Sequence, residues 1–280
     1  MPGGTIPIHL LLGQPASGKD SRLALIAEET GADMFRFGAI FDRYPSALPV
    51  PTEAREKERF FAEYETDGTL ANDDELLRRL ATAGCLPGLD KSQKLWAFKI
   101  AYFGGFKTGL IPDSVVDTIF DEELTAHLRT ARPESIVLNS YPKTLGQYTH
   151  LCHLFGTGSS VPLTKGVVFL MEFTEWNVLE SRTAKRLVCN NCDSVYAATE
   201  LQATPDGAYT CRCGNALKQR LDTHIFDKRR DAYLRHTAPM ITRVMQEWGT
   251  YSILSGRAYS DPILGRSEIQ TAIRTWRNAS

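Results

Sequence analysis

Residues 13–21 read Gly-Gln-Pro-Ala-Ser-Gly-Lys-Asp-Ser, between an apolar run, Ile6–Leu12, and a stretch of helical character, Ser21–Glu29, that stops near Gly31. No other feature restricts the fold as strongly. A short continuous apolar run ending at glycine reads as a buried strand. The glycines let main-chain N–H groups turn inward around an anion, the helix start adds a partial positive charge, and Lys19 adds a full one. Strand, loop and helix in that order are what a phosphate-binding P-loop needs. The strict pattern places Ser or Thr directly after the lysine; here Asp20 stands there and the hydroxyl follows at Ser21. A carboxylate beside a triphosphate repels it unless Mg²⁺ intervenes. Asp20 therefore either serves such an ion or turns outward at the helix start, where the helix dipole favours an acid; the outward placement is preferred.

The rest of the chain extends the pattern. Met34–Phe37, Ser135–Leu138, Gly166–Met171 and Tyr251–Leu254 read as further strands. Helical stretches are Glu53–Glu65, Asp73–Ala81, Gln93–Tyr102, Val115–Ala131, Glu175–Arg186, Thr223–Trp248 with Pro239 near its middle, and Ser267–Trp276. Strands alternating with helices predict an α/β fold with a parallel sheet. With 280 residues the chain makes one large domain or two small ones at about 150 residues each. A 42% hydrophobic and 23% charged composition excludes a mostly disordered chain. A net charge of −1 gives no support for bulk electrostatic binding to nucleic acid. The apolar runs are too short to cross a bilayer, and Met1–Gly13 lacks the basic start and cleavage site of a secretory signal, so a cytoplasmic protein is expected.

Cys189, Cys192, Cys211 and Cys213 fall within 25 residues, whereas Cys85 and Cys152 stand alone. Two tight turns carrying two thiolates each can close a tetrahedral Zn²⁺ site with no open position, a structural rather than catalytic centre. Disulfides or unmetallated thiols are the alternatives.

Taken together, these segments resemble the adenylate kinase family of nucleoside monophosphate kinases. The family loop reads Gly-x-Pro-Gly-x-Gly-Lys-Gly-Thr; here Ala16 and Asp20 replace glycines and Ser21 matches the Thr. Thr108-Gly-Leu-Ile-Pro-Asp113 looks like the family's Gly-x-Leu-Val-Pro-Asp. Ile136–Gln147 looks like the stretch ending Asp-Gly-Phe-Pro-Arg-Thr-x-x-Gln. Arg182–Cys189 keeps the spacing of Arg-x-x-Gly-Arg-Arg-x-Cys. Gln219–Asp222 is similar to Gln-Arg-x-Asp-Asp, and Arg229–Pro239 to Arg-Leu-x-x-Tyr-x-x-x-Thr-x-Pro. Six segments stand in the family's order between residues 13 and 239.

The resemblance implies a P-loop NTPase-type parallel sheet flanked by helices. It also implies an enlarged helical monophosphate-binding insertion and a small zinc-ribbon lid, two mobile parts that close over substrates. The core would comprise residues 1–35, 108–181 and 221–280, the insertion 36–107 and the lid 182–220. The reaction implied is transfer of the γ-phosphoryl of Mg-ATP to AMP, giving two ADP, by a monomer with structural Zn and no nucleic-acid or membrane partner. Gly13, Pro15, Ala16, Ser17, Gly18, Lys19, Asp20 and Ser21 would hold ATP. Arg182 would stack on its adenine and Arg186 contact its phosphates. Arg220 and Arg229 would neutralise the transferring group beside Lys19 and Lys143. Gln147 matches the glutamine that reads the adenine of AMP, although a loop-capping glutamine is its ordinary role.

The acceptor side departs from the family. Its Ser-Thr-Gly-Asp-x-x-Arg corresponds to Arg36-Phe37-Gly38-Ala39-Ile40-Phe41-Asp42, with Arg43 one residue late. Phe37, Gly38, Arg43, Lys143 and Gln147 are the candidate acceptor residues. The family's central Asp-Gly is Asn139-Ser140, and Lys143 keeps the charge of its arginine without the bidentate fork. Asn139 carries no charge to orient the waters of Mg²⁺, and Asp20 is one acid gained for one lost. The surplus length falls between about residues 44 and 107. A different acceptor, or an ATP-binding and sensing homologue with weak catalysis, is the alternative; a nucleic-acid binder using the zinc ribbon is the least supported.

Overall fold

The apolar run after Thr5 becomes the centre of a sheet. In the computed structural model the elements begin with β1 (Ile6–Gly13), α1 (Lys19–Thr30), β2 (Asp33–Arg36), α2 (Phe37–Arg43) and α3 (Ala54–Ala62). A hairpin of β3 (Glu65–Thr66) and β4 (Thr69–Leu70) leads to α4 (Asp73–Thr82) and α5 (Lys91–Lys99), which continues as a π-helical segment over Ile100–Lys107. Then come α6 (Asp113–Ala131), β5 (Ile136–Asn139), α7 (Leu145–Gly156), β6 (Leu163–Met171) and α8 (Trp176–Ala184). Short strands β7 (Arg186–Cys189), β8 (Val195–Ala197) and β9 (Leu217–Gln219) precede α9 (Phe226–Ala232) and a π-helical segment over Tyr233–Thr237. The last elements are α10 (Ala238–Trp248), β10 (Tyr251–Leu254) and α11 (Pro262–Ala279). The structure describes all residues except 1–4, 45–47, 52, 85–87, 157–161, 172–174, 190–194, 198–208, 220–225, 249–250, 255–261 and 280. At 21, 42, 156, 186, 188, 195, 197, 218, 219, 262–265 and 279 it describes the backbone alone.

Two compact units emerge: Met1–Phe37 with Asp117–Ser280, and Gly38–Val116. In the first, five strands pair in the order β10-β6-β1-β5-β2, all parallel. The buried centres of β1, β5 and β6 match the near-continuous apolar runs that a sheet covered on both faces requires. Val167, Phe169 and Met171 pack with Leu11, Val137, Leu23, Ile26, Ile269 and Ile273, which places α1 and α11 on one face. Helices α7 and α10 pack together and against β6. A parallel sheet flanked by helices is thus present, consistent with a P-loop-type α/β fold.

The histidine of β1 is built into this core. His9, 1% exposed, accepts a 3.0 Å hydrogen bond from the Val167 N–H at Nδ1. Burial, and secondarily the charge of Arg277, push its pKa down to about 4, so the ring is neutral with its proton on Nε2. The pairing of β1 with β6 shifts register between Ile8 and Leu10, where Gly166 and Val167 together face His9. A Cβ on Gly166 would stand 2.5 Å from His9 Nδ1, so the bulge needs glycine there.

Among its described residues the second unit has no large sheet, only the β3–β4 pair. Its core is aromatic: Phe61, Tyr64, Phe98 and Tyr102 pack with Leu48, Leu76 and Leu80. Asp67 and Gly68 both have positive φ, as a two-residue hairpin turn demands. Asn72 caps α4 and an Asp90–Gln93 capping box starts α5.

Three expectations need correction. Phe37 does not end a strand; β2 stops at Arg36 and Phe37 begins α2. Leu145–Gly156 is a helix that the sequence reading did not assign. The Thr223–Trp248 stretch is not one regular helix. Pro239 lacks an N–H and its ring crowds the preceding turn, and the turn before it widens to π geometry, with the Ala238 N–H reaching back to Tyr233. Among the described residues no helix is long and apolar enough to cross a membrane.

Candidate functional site

Ligands of open α/β sheets bind outside the carboxyl ends of the strands, where the strand order switches direction. That point here is the end of β1: α1 leads away to β2 on one side, and α7 carries the chain from β5 across to β6 on the other. Gly13 closes β1 at φ +144°, and a Cβ there would meet the Met171 carbonyl oxygen at 2.2 Å. Only glycine lets the chain turn so close to β6. Ser17, fully buried, donates its N–H to the Gln14 carbonyl at 3.3 Å. Ala16 sits at φ +62°, and Gly18, at φ +91°, is the N-cap of α1, where it has no side chain to cap the helix. Pro15 and Ala16 are half-buried.

Lys19 spans this loop. Its Nζ donates to the carbonyls of Gly13 at 2.9 Å and Gln14 at 2.7 Å, and lies 3.4 Å from Ser17 Oγ. An ammonium held on main-chain oxygens at a helix N-terminus is a preset positive centre that an incoming phosphate oxygen can engage. Asp20 is exposed yet does not turn away from the sheet, which corrects the preferred outward placement. Its Oδ1 accepts a 2.7 Å hydrogen bond from Nδ2 of Asn139, the last residue of β5, only 3% exposed. Ser21 lies in α1, with only its backbone described.

After β5 the chain is tightly held. Tyr141, fully buried, places its hydroxyl 3.0 Å from both Asp117 Oδ1 and the Gln147 carbonyl. Its ring stacks on Phe120 and meets Phe37 edge-on. Gln147, 1% exposed, accepts the Lys143 N–H at Oε1 (2.8 Å) and donates its own N–H to Thr144 Oγ1. Thr237 Oγ1 donates to the Lys143 carbonyl at 2.9 Å. Lys143 is therefore an exposed cation on a backbone fixed from both sides. Sequence reasoning missed Tyr141, Thr144 and Thr237 as positioning groups; the Thr144-x-x-Gln147 spacing of a capped helix was the available signal.

The other candidates lie on several elements. Phe37 is fully buried in the ring cluster with Phe35, Phe120 and Tyr141. Gly38 and Arg43 belong to the second unit, with Arg43 exposed in the last turn of α2. Arg182 in the last turn of α8 and Arg229 in α9 are both half-buried. Arg186 starts β7 with its side chain outside the described residues, and Arg220 lies outside them altogether.

Strands β8, β7 and β9 form an antiparallel sheet, and Cys189 ends β7. Cys211–Asn215 makes a tight knuckle: the Cys211 N–H donates to the Asn215 carbonyl, the Gly214 N–H to the Cys211 carbonyl, and Gly214 takes φ +84°. This turn and the end of β7 bring Cys189, Cys211 and Cys213 together, with their Sγ atoms all within 4.8 Å of one another. Hydrogen bonds from the Asn215 backbone and side chain, and from the neighbouring thiols, pull the Cys213 thiol down to about 5. Tyr196 places its hydroxyl 3.3 Å from Cys211 Sγ. Three thiols so spaced suit a tetrahedral zinc centre, whose Zn–S bonds run about 2.3 Å. Cys192, expected as the fourth ligand, lies outside the described residues.

No protein-family model matches the chain. The chain is 30% identical over 88 residues to the adenylate kinase of Mycoplasma genitalium; the match covers 31% of this chain and 36% of that protein, about a third of its length. That similarity supports a distant relationship to a nucleotide kinase.

Proposed function

We propose that the protein is an ATP-dependent nucleoside monophosphate kinase that transfers the γ-phosphoryl of Mg-ATP to AMP. The observation that carries the reading is the loop at the end of β1: Gly13 pressed against Met171, Gly18 at the head of α1, and Lys19 drawn across the loop. The partial similarity to an adenylate kinase supports the same class. Phosphoryl transfer needs little covalent help; it needs in-line positioning, cations around the transferring group and exclusion of water. In this reading the Gln14–Gly18 main chain and Lys19 hold the ATP phosphates. Lys143, on its doubly anchored backbone, meets the acceptor phosphate, and Gln147 reads the acceptor base. A carbonyl oxygen has two lone pairs, so Gln147 Oε1 can hold both the Lys143 N–H and a base amine. Arg182 and Arg186 attend the ATP, while Arg220 and Arg229 neutralise the migrating charge. Zinc, bound by Cys189, Cys211, Cys213 and Cys192, stiffens a sheet too small to have a core of its own.

Coupled measurement of ADP formation with ATP and a panel of AMP, CMP, UMP and GMP tests the proposal. AMP is expected to be the best acceptor, in protein that carries about one zinc per chain by metal analysis. ATP binding without turnover on any acceptor overturns it. A second reading, the same transfer to another monophosphate, is favoured by Phe37, a candidate acceptor residue, being buried in the core. A different best acceptor in the same panel selects it.

A further inference from the structure

Asp20 is one residue past the lysine that spans the loop, in the first turn of α1. A bare carboxylate there is the wrong charge for a phosphate site, since each unit of like charge at contact distance costs a large part of the attraction Lys19 provides. The carboxylate is also not left to drift. The buried Asn139 amide reaches over from the end of β5 and holds Oδ1 at 2.7 Å, engaging one oxygen of the two. This contact joins residues 119 apart in the chain, so the tertiary fold fixes it, not the helix turn. An uncharged amide suits the role: it can donate to Asp20, whereas a carboxylate in its place would repel it.

We propose that Asp20 is the carboxylate with which this chain meets the divalent cation that accompanies a nucleotide's phosphates, and that Asn139 is the positioning residue that aims it. The assignment rests on the kinase reading above, because it requires a nucleotide at the loop. Hard divalent cations take oxygen donors, and Mg²⁺ is commonly held by one or two carboxylates together with substrate phosphates. The Asp20 carboxylate thus turns from a liability into a ligand only when cation and phosphate arrive together. Nucleotide affinity should therefore depend on Mg²⁺ through this one side chain.

The test is ATP affinity of the full chain by calorimetry, once with Mg²⁺ and once with EDTA, which needs no turnover. The wild-type protein is expected to bind ATP at least about tenfold more tightly with Mg²⁺. Asp20→Asn keeps the size and the acceptor for Asn139 but removes the charge. It should weaken Mg-ATP binding and tighten binding of metal-free ATP, shrinking the Mg²⁺ advantage about tenfold. Asn139→Leu, which leaves Asp20 charged but unaimed, should lose only part of that advantage. The relocated pair Asp20→Asn with Asn139→Asp should recover part of it. Thermal melting checks that each variant is folded. If folded Asp20→Asn binds ATP like the wild type in both conditions, the assignment is overturned while the kinase reading stands. If the wild type binds no ATP in either condition, both fall.

Discussion

The phosphate-loop region and the second unit solve different problems with different parts of the residue. From Gly13 to Lys19 the working surface is main chain: carbonyls that hold an ammonium, and glycines where a Cβ would collide or strain. From Gly38 to Val116 the working parts are side chains, with Phe61 ringed by Phe60, Phe98, Tyr102 and Phe106. Main-chain geometry tolerates few sequences, so it leaves a short, readable signature. Side-chain packing tolerates many exchanges of similar volume, so it leaves almost none. The contrast predicts that changes in the loop should cost function without stability, and changes in the aromatic core should cost stability first.

The largest effect should follow Lys19→Met. The stem is kept and the charge lost, so kcat/KM should fall about a thousandfold, while unfolding free energy changes by less than about 1 kcal/mol. Steady-state kinetics and urea denaturation on the same preparation decide it. A loss of several kcal/mol would make Lys19 a structural tie and break the contrast. Next in size is Phe61→Ala in the second unit. Phe61 is fully buried, and truncation should cost about 3–5 kcal/mol. ATP affinity, measured where the variant is still folded, should stay within about twofold. A large loss of affinity there would show that the aromatic core sets the loop.

How much of this was legible follows the same division. β1, β5, β6 and the loop were readable because a covered parallel strand is a bare apolar run and the loop is spelled in Gly, Pro and Lys. α7 was missed although Tyr148, Leu151 and Phe155 keep a helical interval. Its glycines, threonine and histidines dilute the pattern, and the motif ending at Gln147 runs across the turn into the helix. The β3–β4 hairpin was marked by Asp67-Gly68, a strong turn signal that follows directly on the charged stretch Glu53–Glu65, whose composition read as helix. The Asp20–Asn139 bond was not readable at all as geometry. Two residues 119 apart meet only because β5 pairs with β1 in register.

Acid should separate the two units. His9 is neutral in the fold, whereas in the unfolded chain it takes up a proton below about pH 6.5. The unfolded state then binds more protons, so stability falls as pH drops from about 6.5 towards about 4, by up to about 3 kcal/mol. In the second unit the ion-paired carboxylates behave differently. Lys107 and Tyr102 hold Glu65 below the ordinary carboxylate range, and Arg78 with Arg79 hold Glu75 at about 2. Their contribution is intact above the ordinary carboxylate pKa and is lost only at lower pH. Hydrogen exchange, corrected for the slower intrinsic exchange in acid, should thus show a smaller opening free energy at Val167 and Phe169 at about pH 5 than at pH 7, with Phe61 and Phe98 little changed. His9→Asn, which keeps an acceptor for Val167 but does not titrate, should remove the difference. Equal acid weakening of both units would mean that burial of His9 is not the controlling term.

The smallest effect tests whether the loop holds strain. Ala16 carries a Cβ at φ +62°, a conformation that suits glycine, whereas Asp67 at φ +51° belongs to a residue type that tolerates the region in turns. Relief of the left-handed conformation in Ala16→Gly is partly offset by the freer unfolded chain, leaving a gain of about 0.5 kcal/mol. Asp67→Ala, made in the hairpin, should instead lose a similar amount. Paired urea curves resolve both. If Ala16→Gly stabilises the protein and also weakens ATP binding, the strained loop is preset for its ligand. If it stabilises with affinity unchanged, the alanine is tolerated there because the backbone on either side, from Gly13 against Met171 to Gly18 at the head of α1, already dictates the turn.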